Sequence, residues 1–173
     1  MKKAHRILIV EDNAADAELA IARLRKSGLN FDYKKCQKES QFKQLLKSFD
    51  PDIVLSDYNL PQFDGLAALR ITREASPDLP FIFLSGAIGD EVAAESLKLG
   101  ATDYILKDRA ERLNSAVERS LRDAERTKVE RLLKDRAGEL ERENSEMRER
   151  EEKIISLKED LEELRARLKE MVP

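Results

Sequence analysis

Several residue types are scarce in this 173-residue sequence, and each scarcity excludes a class of protein. There is one cysteine, which excludes an intramolecular disulfide and a multi-cysteine zinc site and fits a reducing compartment. Aromatic residues make up 5% of the chain, and tryptophan is absent. The apolar run that follows Met1-Lys2-Lys3 is too short for a signal peptide or a membrane span. The sequence therefore predicts a cytoplasmic protein with no membrane partner.

Charged residues are abundant instead, at 39% of the chain, and they are distributed unevenly. Residues 1–108 contain 32 of them, an ordinary proportion for a globular domain, whereas residues 109–173 contain 35 in only 65 positions. The first segment can bury a hydrophobic core, but the second is too polar to form a globule. Both signs are mixed throughout, so neither segment has the one-signed field typical of a nucleic-acid or membrane-surface binder.

Short apolar runs alternate with amphipathic segments over the first 108 residues. The runs predict strands at 7–10, 31–36, 53–55, 81–84 and 104–106. Helical periodicity predicts helices at 14–26, 39–48, 66–74 and 91–99. This alternation predicts right-handed βαβ units, and so an α/β fold with a five-stranded, parallel, doubly wound sheet. Ligands of such sheets bind beyond the carboxyl ends of the strands.

Reactive side chains occur at the predicted ends of these strands. Glu11 and Asp12 follow the first strand, Asp57 follows the third, Ser85 follows the fourth, and Lys107 lies near the end of the fifth. Each one alone is ordinary at a helix start, in a turn or on a surface. At one edge of a sheet, however, three carboxylates would repel one another unless they bound a cation such as Mg²⁺. One carboxylate could then accept a phosphoryl group, whose oxygens the serine and the lysine would hold.

These residues and their spacing resemble the receiver domain of bacterial two-component response regulators. The resemblance covers residues 6 to about 122 and rests on four segments. They are 7–13 (Ile-Leu-Ile-Val-Glu-Asp-Asn), 53–61 (Ile-Val-Leu-Ser-Asp-Tyr-Asn-Leu-Pro) with Asp64-Gly65 just after it, 83–87 (Phe-Leu-Ser-Gly-Ala) and 100–107 (Gly-Ala-Thr-Asp-Tyr-Ile-Leu-Lys). The resemblance implies a flavodoxin-like sheet with strand order 2-1-3-4-5.

The resemblance also implies a phosphoacceptor and a metal site. Asp57 would accept a phosphoryl group from a histidine kinase or a histidine phosphotransfer protein. Mg²⁺ would be bound by Glu11, Asp12, Asp57 and the backbone carbonyl of Asn59. Phosphotransfer and dephosphorylation would be self-catalysed, so the chain would not be an enzyme in the usual sense.

The remaining roles implied by the resemblance belong to the conformational switch. Ser85 and Lys107 would contact the phosphoryl group, and Tyr104 would move between exposed and buried positions. Two positions depart from the family pattern. Asp108 replaces the usual proline and its cis peptide, and serine takes the place of the more common threonine at position 85.

Particular residues argue against assigning the chain to three other classes of protein. A phosphohydrolase that forms an aspartyl phosphate carries a general-acid Asp two residues after its nucleophile, where this chain has Asn59. A Rossmann domain needs glycines after the first strand, where this chain has Glu11-Asp12-Asn13. A histidine kinase needs a phosphorylatable histidine on a helix, and the only histidine, His5, precedes the first strand. The phosphohydrolase remains the less favoured alternative.

The segment from about Asp108 onward lacks proline up to Val172 and favours one long helix that continues the last receiver helix. Its apolar residues recur at steps of three and four, which is the pattern of a coiled coil. The seam positions are Leu133, Ala137, Leu140, Asn144, Met147, Ile154, Leu157, Leu161, Leu164, Leu168 and Met171. The two halves of this seam are in different registers, and the change falls near residues 148–153.

We expect a receiver domain at residues 1–122, a coiled-coil helix at 123–173, and a parallel homodimer. A single solvated helix or a disordered tail is one alternative. A DNA-binding basic zipper is disfavoured, because acidic residues interrupt the basic positions of 119–136. The output has two interpretations. Either the coiled coil binds a downstream protein, or the chain is the N-terminal part of a larger signalling protein and the helix relays to a further module.

Overall fold

A computed structural model of the protein describes residues 4–61, 63–86, 90–109 and 111–171. The chain divides into two compact units, Met1–Arg126 and Thr127–Pro173. The strands are β1 His5–Val10, β2 Phe31–Cys36, β3 Ile53–Asp57, β4 Phe81–Ser85 and β5 Asp103–Leu106. The helices are α1 Ala14–Lys26, α2 Glu39–Ser48, α3 Gly65–Ala75, α4 Asp90–Lys98 and α5 Glu111–Met171, with a 3₁₀ turn at Lys107–Arg109.

The five strands form one parallel sheet in the order β2-β1-β3-β4-β5. This order confirms the predicted doubly wound, flavodoxin-like α/β fold. The chain order reverses between β1 and β3, so a crevice opens beyond the carboxyl ends of these two strands.

The strands are buried on both faces, which explains why their sequences are continuously apolar. One face packs on α1 and the first turns of α5, through Ile7, Ile9, Ile21, Leu24 and Val117. The other face packs on α2, α3 and α4, through Leu8, Val10, Phe42, Leu69 and Phe83. The two layers fix the sheet on either side and leave its carboxyl edge to form a site.

Side-chain caps define where two of the helices begin. The Oδ1 atom of Asn13 accepts hydrogen bonds from the backbone amides of Ala15 and Asp16 and so begins α1. Asp64 begins α3 in the same way, by accepting from the amide of Leu66. The bounds of α1, α2 and β2 agree with the sequence-based predictions.

Three of the boundaries that differ from the predictions bear on the site. Asp57 and Ser85 were expected to follow their strands, but they are the last residues of β3 and β4. The strands extend because backbone pairing continues past the apolar runs; Asp57 is still in register with Leu84. The last helix was expected to start at about Asp108, but α5 starts at Glu111, because residues 107–109 form a tighter 3₁₀ turn first.

The second unit, Thr127–Pro173, is helical through Met171. Its apolar residues are largely exposed, and they include Leu133, Leu140, Met147, Ile154, Leu157, Leu161 and Leu164. In the part of the chain that the structure describes, no helix combines the length and the apolar character needed to cross a membrane.

Candidate functional site

The strand register brings the predicted site residues to one edge of the sheet. Val10 pairs with Ser56, so the next residues, Glu11 and Asp57, stand side by side. Further along the sheet, Ser85 pairs with Leu106, the residue before Lys107.

Three carboxylates converge at this edge. Oxygen atoms of Glu11, Asp12 and Asp57 all lie within 4.8 Å of one another. Glu11 and Asp57 are only 4% and 8% exposed, whereas Asp12 is open to solvent. A half-buried group of oxygen ligands with one open side suits a hard divalent cation such as Mg²⁺, which keeps waters in part of its shell.

Backbone amides orient the two buried carboxylates. The amide of Asn13 donates to Oε1 of Glu11 over 3.1 Å. The amide of Asn59 donates to Oδ1 of Asp57 over 3.0 Å. Each bond runs from the loop that follows the strand back to the strand end, so the loops hold the carboxylates in fixed orientations.

The ammonium of Lys107 lies among the carboxylates and bonds to three of them. Its Nζ atom is 2.8 Å from Oε2 of Glu11. It is 2.7 Å from Oδ2 of Asp57 and 2.7 Å from Oδ2 of Asp16. Since an ammonium has three hydrogens, these contacts use all of its donors.

The charges in the cluster shift the pKa values of Lys107 and Glu11. Burial lowers the pKa of Lys107, but the hydrogen bonds to Asp16, Asp57 and Glu11 outweigh burial, and the net pKa is raised. Burial raises the pKa of Glu11, and the hydrogen bonds from Lys107 and Asn13 oppose this rise only in part. Lys107 supplies one positive charge among the acidic side chains of Glu11, Asp12, Asp16 and Asp57, and this excess of acidic groups favours binding of a cation.

Asp16 is a member of this cluster that the sequence-based prediction missed. It lies in the first turn of α1, one turn beyond the acidic pair. An acidic residue is favoured in the first turn of any helix, so its presence in the sequence carried no distinctive signal. Only the folded structure, which brings Lys107 to Asp16 from 91 positions further along the chain, reveals the contact.

The loop that carries Lys107 departs from the family pattern in sequence, because Asp108 replaces proline. The peptide bond between Lys107 and Asp108 is trans. The carbonyl of Lys107 accepts a hydrogen bond from Nη1 of Arg23 on α1, over 3.4 Å.

Ser85 and Tyr104 lie on β4 and β5, the two strands beyond β3 in the sheet. Ser85 is fully buried at the end of β4. Tyr104, on β5, is 7% exposed, and its ring centroid lies 6.0 Å from that of Tyr58 and 6.1 Å from that of Phe83. Its buried hydroxyl has no hydrogen-bond partner within the described parts of the chain. The structure records the buried position of Tyr104, and its movement to an exposed position stays a prediction.

Fold and site together define the class: a doubly wound α/β domain with an acidic pocket and a lysine at its topological switch point. The family described as response regulator receiver domain matches residues 7–118, well over half of the chain. The protein therefore belongs to the response regulator receiver family, as its sequence motifs indicated.

Individual relatives agree with this assignment. The chain is 34% identical over 102 residues to the virulence transcriptional regulatory protein PhoP of Salmonella typhimurium, a match that covers 59% of this chain and 45% of PhoP. It is 32% identical over 102 residues to the cell cycle transcriptional regulator CtrA of Caulobacter vibrioides, with 59% of this chain and 43% of CtrA covered.

A solved structure gives the same fold. The non-phosphorylated HemR receiver domain of Leptospira biflexa has a TM-score of 0.59 at 27% identity, and the match covers 69% of this chain and 94% of that domain. The chain matches less than half the length of the curated relatives. The shared part is the receiver.

Proposed function

We propose that this chain is a Mg²⁺-dependent phosphoacceptor of a two-component system, phosphorylated on Asp57 by a histidine kinase or a histidine phosphotransfer protein. One observation carries the proposal: Glu11, Asp12 and Asp57 converge at the switch point of a receiver fold, with the ammonium of Lys107 in direct contact with Asp57.

Asp57 is the acceptor in this proposal because it ends the central strand, β3, with Glu11 and Asp12 beside it. Its Oδ1 accepts from the amide of Asn59, and its Oδ2 accepts from Lys107. An oxygen of this carboxylate attacks the phosphorus of a phosphohistidine; the new O–P bond forms as the N–P bond breaks, and the histidine nitrogen leaves with the bonding electrons.

The other residues of the cluster supply charge and orientation. Glu11, Asp12, Asp57 and the backbone carbonyl of Asn59 would hold Mg²⁺, which supplies positive charge to the phosphoryl oxygens when bound. Lys107 exchanges a carboxylate partner for a phosphoryl oxygen, and the Ser85 hydroxyl donates to another. Tyr104 then follows the movement of these groups and changes the surface that a partner meets.

Phosphorylation with a small donor tests this proposal. Incubation with acetyl phosphate and Mg²⁺ should add one phosphoryl group to the full chain, seen by intact mass spectrometry. Asp57→Asn should abolish the addition, because amide nitrogen and oxygen cannot replace the carboxylate nucleophile. Excess chelator should also abolish it.

Asp32→Asn is the matched control for this experiment. Asp32 is an exposed aspartate near the start of β2, at the opposite end of the strands from the acidic cluster. Its substitution should leave labelling unchanged. Undiminished labelling of Asp57→Asn, or labelling that persists in chelator, would contradict the proposal.

The output of the chain is a further part of the proposal. We propose that residues 1–122 act as the receiver and that residues 123–173 associate as a parallel coiled-coil homodimer in the cytoplasm. The support is the row of exposed apolar side chains at heptad spacing, including Leu140, Leu157 and Leu161. The dimer either binds a downstream protein or relays to a module of a longer chain.

A further inference from the structure

We propose that Asp16 is a positioning residue that weakens the pairing of Lys107 with the candidate metal-binding carboxylates and so raises the affinity of the site for Mg²⁺. This inference rests on the proposed function, because it concerns the metal of that same site.

Asp16 and Lys107 are in direct contact although they are far apart in the sequence. Oδ2 of Asp16 lies 2.7 Å from Nζ of Lys107, and the two residues are 91 positions apart. Asp16 is not part of the group whose carboxylate oxygens lie within 4.8 Å of one another. It therefore binds the lysine without being one of the candidate metal ligands.

Helix α1 contacts both the side chain and the backbone of Lys107. Asp16 accepts from the ammonium, and Arg23, two turns further along the helix, donates to the backbone carbonyl. A residue held at two points by the same helix has a defined position. The preference of helix N-termini for acidic residues explains an aspartate at position 16, but it does not explain a lysine held in this way.

Competition for carboxylates links Asp16 to the metal. The other two partners of Lys107, Glu11 and Asp57, are both candidate Mg²⁺ ligands. Each contact that the ammonium makes with them opposes the entry of a cation, since the same oxygens cannot face both positive charges at full strength. Asp16 accepts one of the three hydrogen bonds of the ammonium, and it does so from outside the candidate metal site. Without it, Lys107 would pair more tightly with Glu11 and Asp57.

Calorimetric titration of the full chain with Mg²⁺, without any phosphodonor, tests the inference. Asp16→Asn should weaken Mg²⁺ binding about fivefold, the equivalent of losing about 1 kcal/mol from a partly exposed ion pair. Asp16→Glu keeps the charge and can still reach the ammonium, so it should restore most of the affinity. Circular dichroism would verify that each variant is folded.

Two further variants separate the contact with Lys107 from a general effect of charge. Glu18→Gln removes the same charge from the same helix, but Glu18 pairs with Lys35, so Mg²⁺ affinity should change less than twofold. In a Lys107→Ala background, which should still bind Mg²⁺, Asp16→Asn should also have less than a twofold effect, because no ammonium remains to be redistributed.

The outcomes distinguish this inference from the proposed function. Mg²⁺ binding by the unmodified chain with equal affinity in Asp16→Asn would overturn the inference alone. A fivefold effect of Asp16→Asn that persists in the Lys107→Ala background would also overturn it, since it would be a through-space effect. No Mg²⁺ binding by the unmodified chain would overturn the metal-dependent function and the inference together.

Discussion

At the scale of single residues, burial keeps the thiol of Cys36 unreactive. Cys36, the last residue of β2, is 3% exposed, and burial raises the pKa of its thiol to about 12. The thiolate is the reactive form, and at pH 8 only roughly one molecule in ten thousand would carry it at such a pKa. Cys36 therefore belongs to the core and not to the chemistry of the site.

The rate of thiol modification measures the burial of Cys36 directly. At pH 8 the native chain should react with a disulfide reagent at least a hundredfold more slowly than the same chain in guanidinium, because unfolding restores both access and the ordinary pKa. Equal rates in the native and unfolded chains would show that Cys36 is not buried.

The residues of the site were predictable to different degrees. Glu11, Asp57 and Lys107 could be placed together because each stands at the end of a recognisable apolar run. Asp16 could not, because an acidic residue in the first turn of a helix is common for reasons unrelated to any site. The burial of Tyr104 agrees with the apolar run at 104–106, which predicts a strand buried on both faces.

At the scale of elements, the start of α3 is fixed by a close approach of two backbone segments. A Cβ atom on Gly65 would lie 2.6 Å from the carbonyl oxygen of Asp57 and 2.9 Å from that of Tyr58. No side chain fits at that distance without moving backbone. The glycine thus allows α3 to begin directly against the strand end that carries the carboxylate of Asp57.

The same substitution at two glycines should have opposite effects. Gly65→Ala should lower the free energy of unfolding by about 2 kcal/mol, because the end of β3 or the start of α3 must shift. Gly138→Ala, in the interior of α5, meets nothing within 4 Å and should increase helix stability by about 1 kcal/mol. Urea denaturation followed by circular dichroism would measure both. An unchanged free energy of unfolding in Gly65→Ala would mean that the two backbone segments lie further apart than these distances.

Element boundaries follow the sequence where a local signal exists. Asn13 caps α1, and the start of that helix was predicted correctly. The ends of β3 and β4 were predicted too early, because Asp57 and Ser85 are polar but continue the hydrogen-bonded ladder. Ladder bonds depend on the neighbouring strand, and no pattern within one strand reports them.

At the scale of the whole molecule, α5 carries the proposed association between two copies of the chain. Ile154 and Ile155 offer a matched pair: they are adjacent, identical in type, and 52% and 57% exposed. Only Ile154 lies on the predicted seam. Ile154→Lys should therefore convert a dimer into a monomer at micromolar concentration, because a charge at a seam position must be buried in the pair.

Ile155→Lys should leave the dimer intact, since position 155 lies beside the seam. Light scattering or analytical ultracentrifugation of the full chain would give the mass of each variant. A monomeric unmodified chain, or equal loss of dimer in both variants, would argue against the coiled coil as assigned.

The ion pairs of Lys107 also determine when the site is assembled during folding. They join the lysine to residues 96, 91 and 50 positions earlier in the chain. Contacts of such long range form late, after the intervening segments have been brought together. Under the proposed function, a chain that is still being synthesised or is partly unfolded contains Asp57 but lacks the assembled site around it. Under the same proposal, the ability to accept a phosphoryl group therefore depends on completed folding of the receiver.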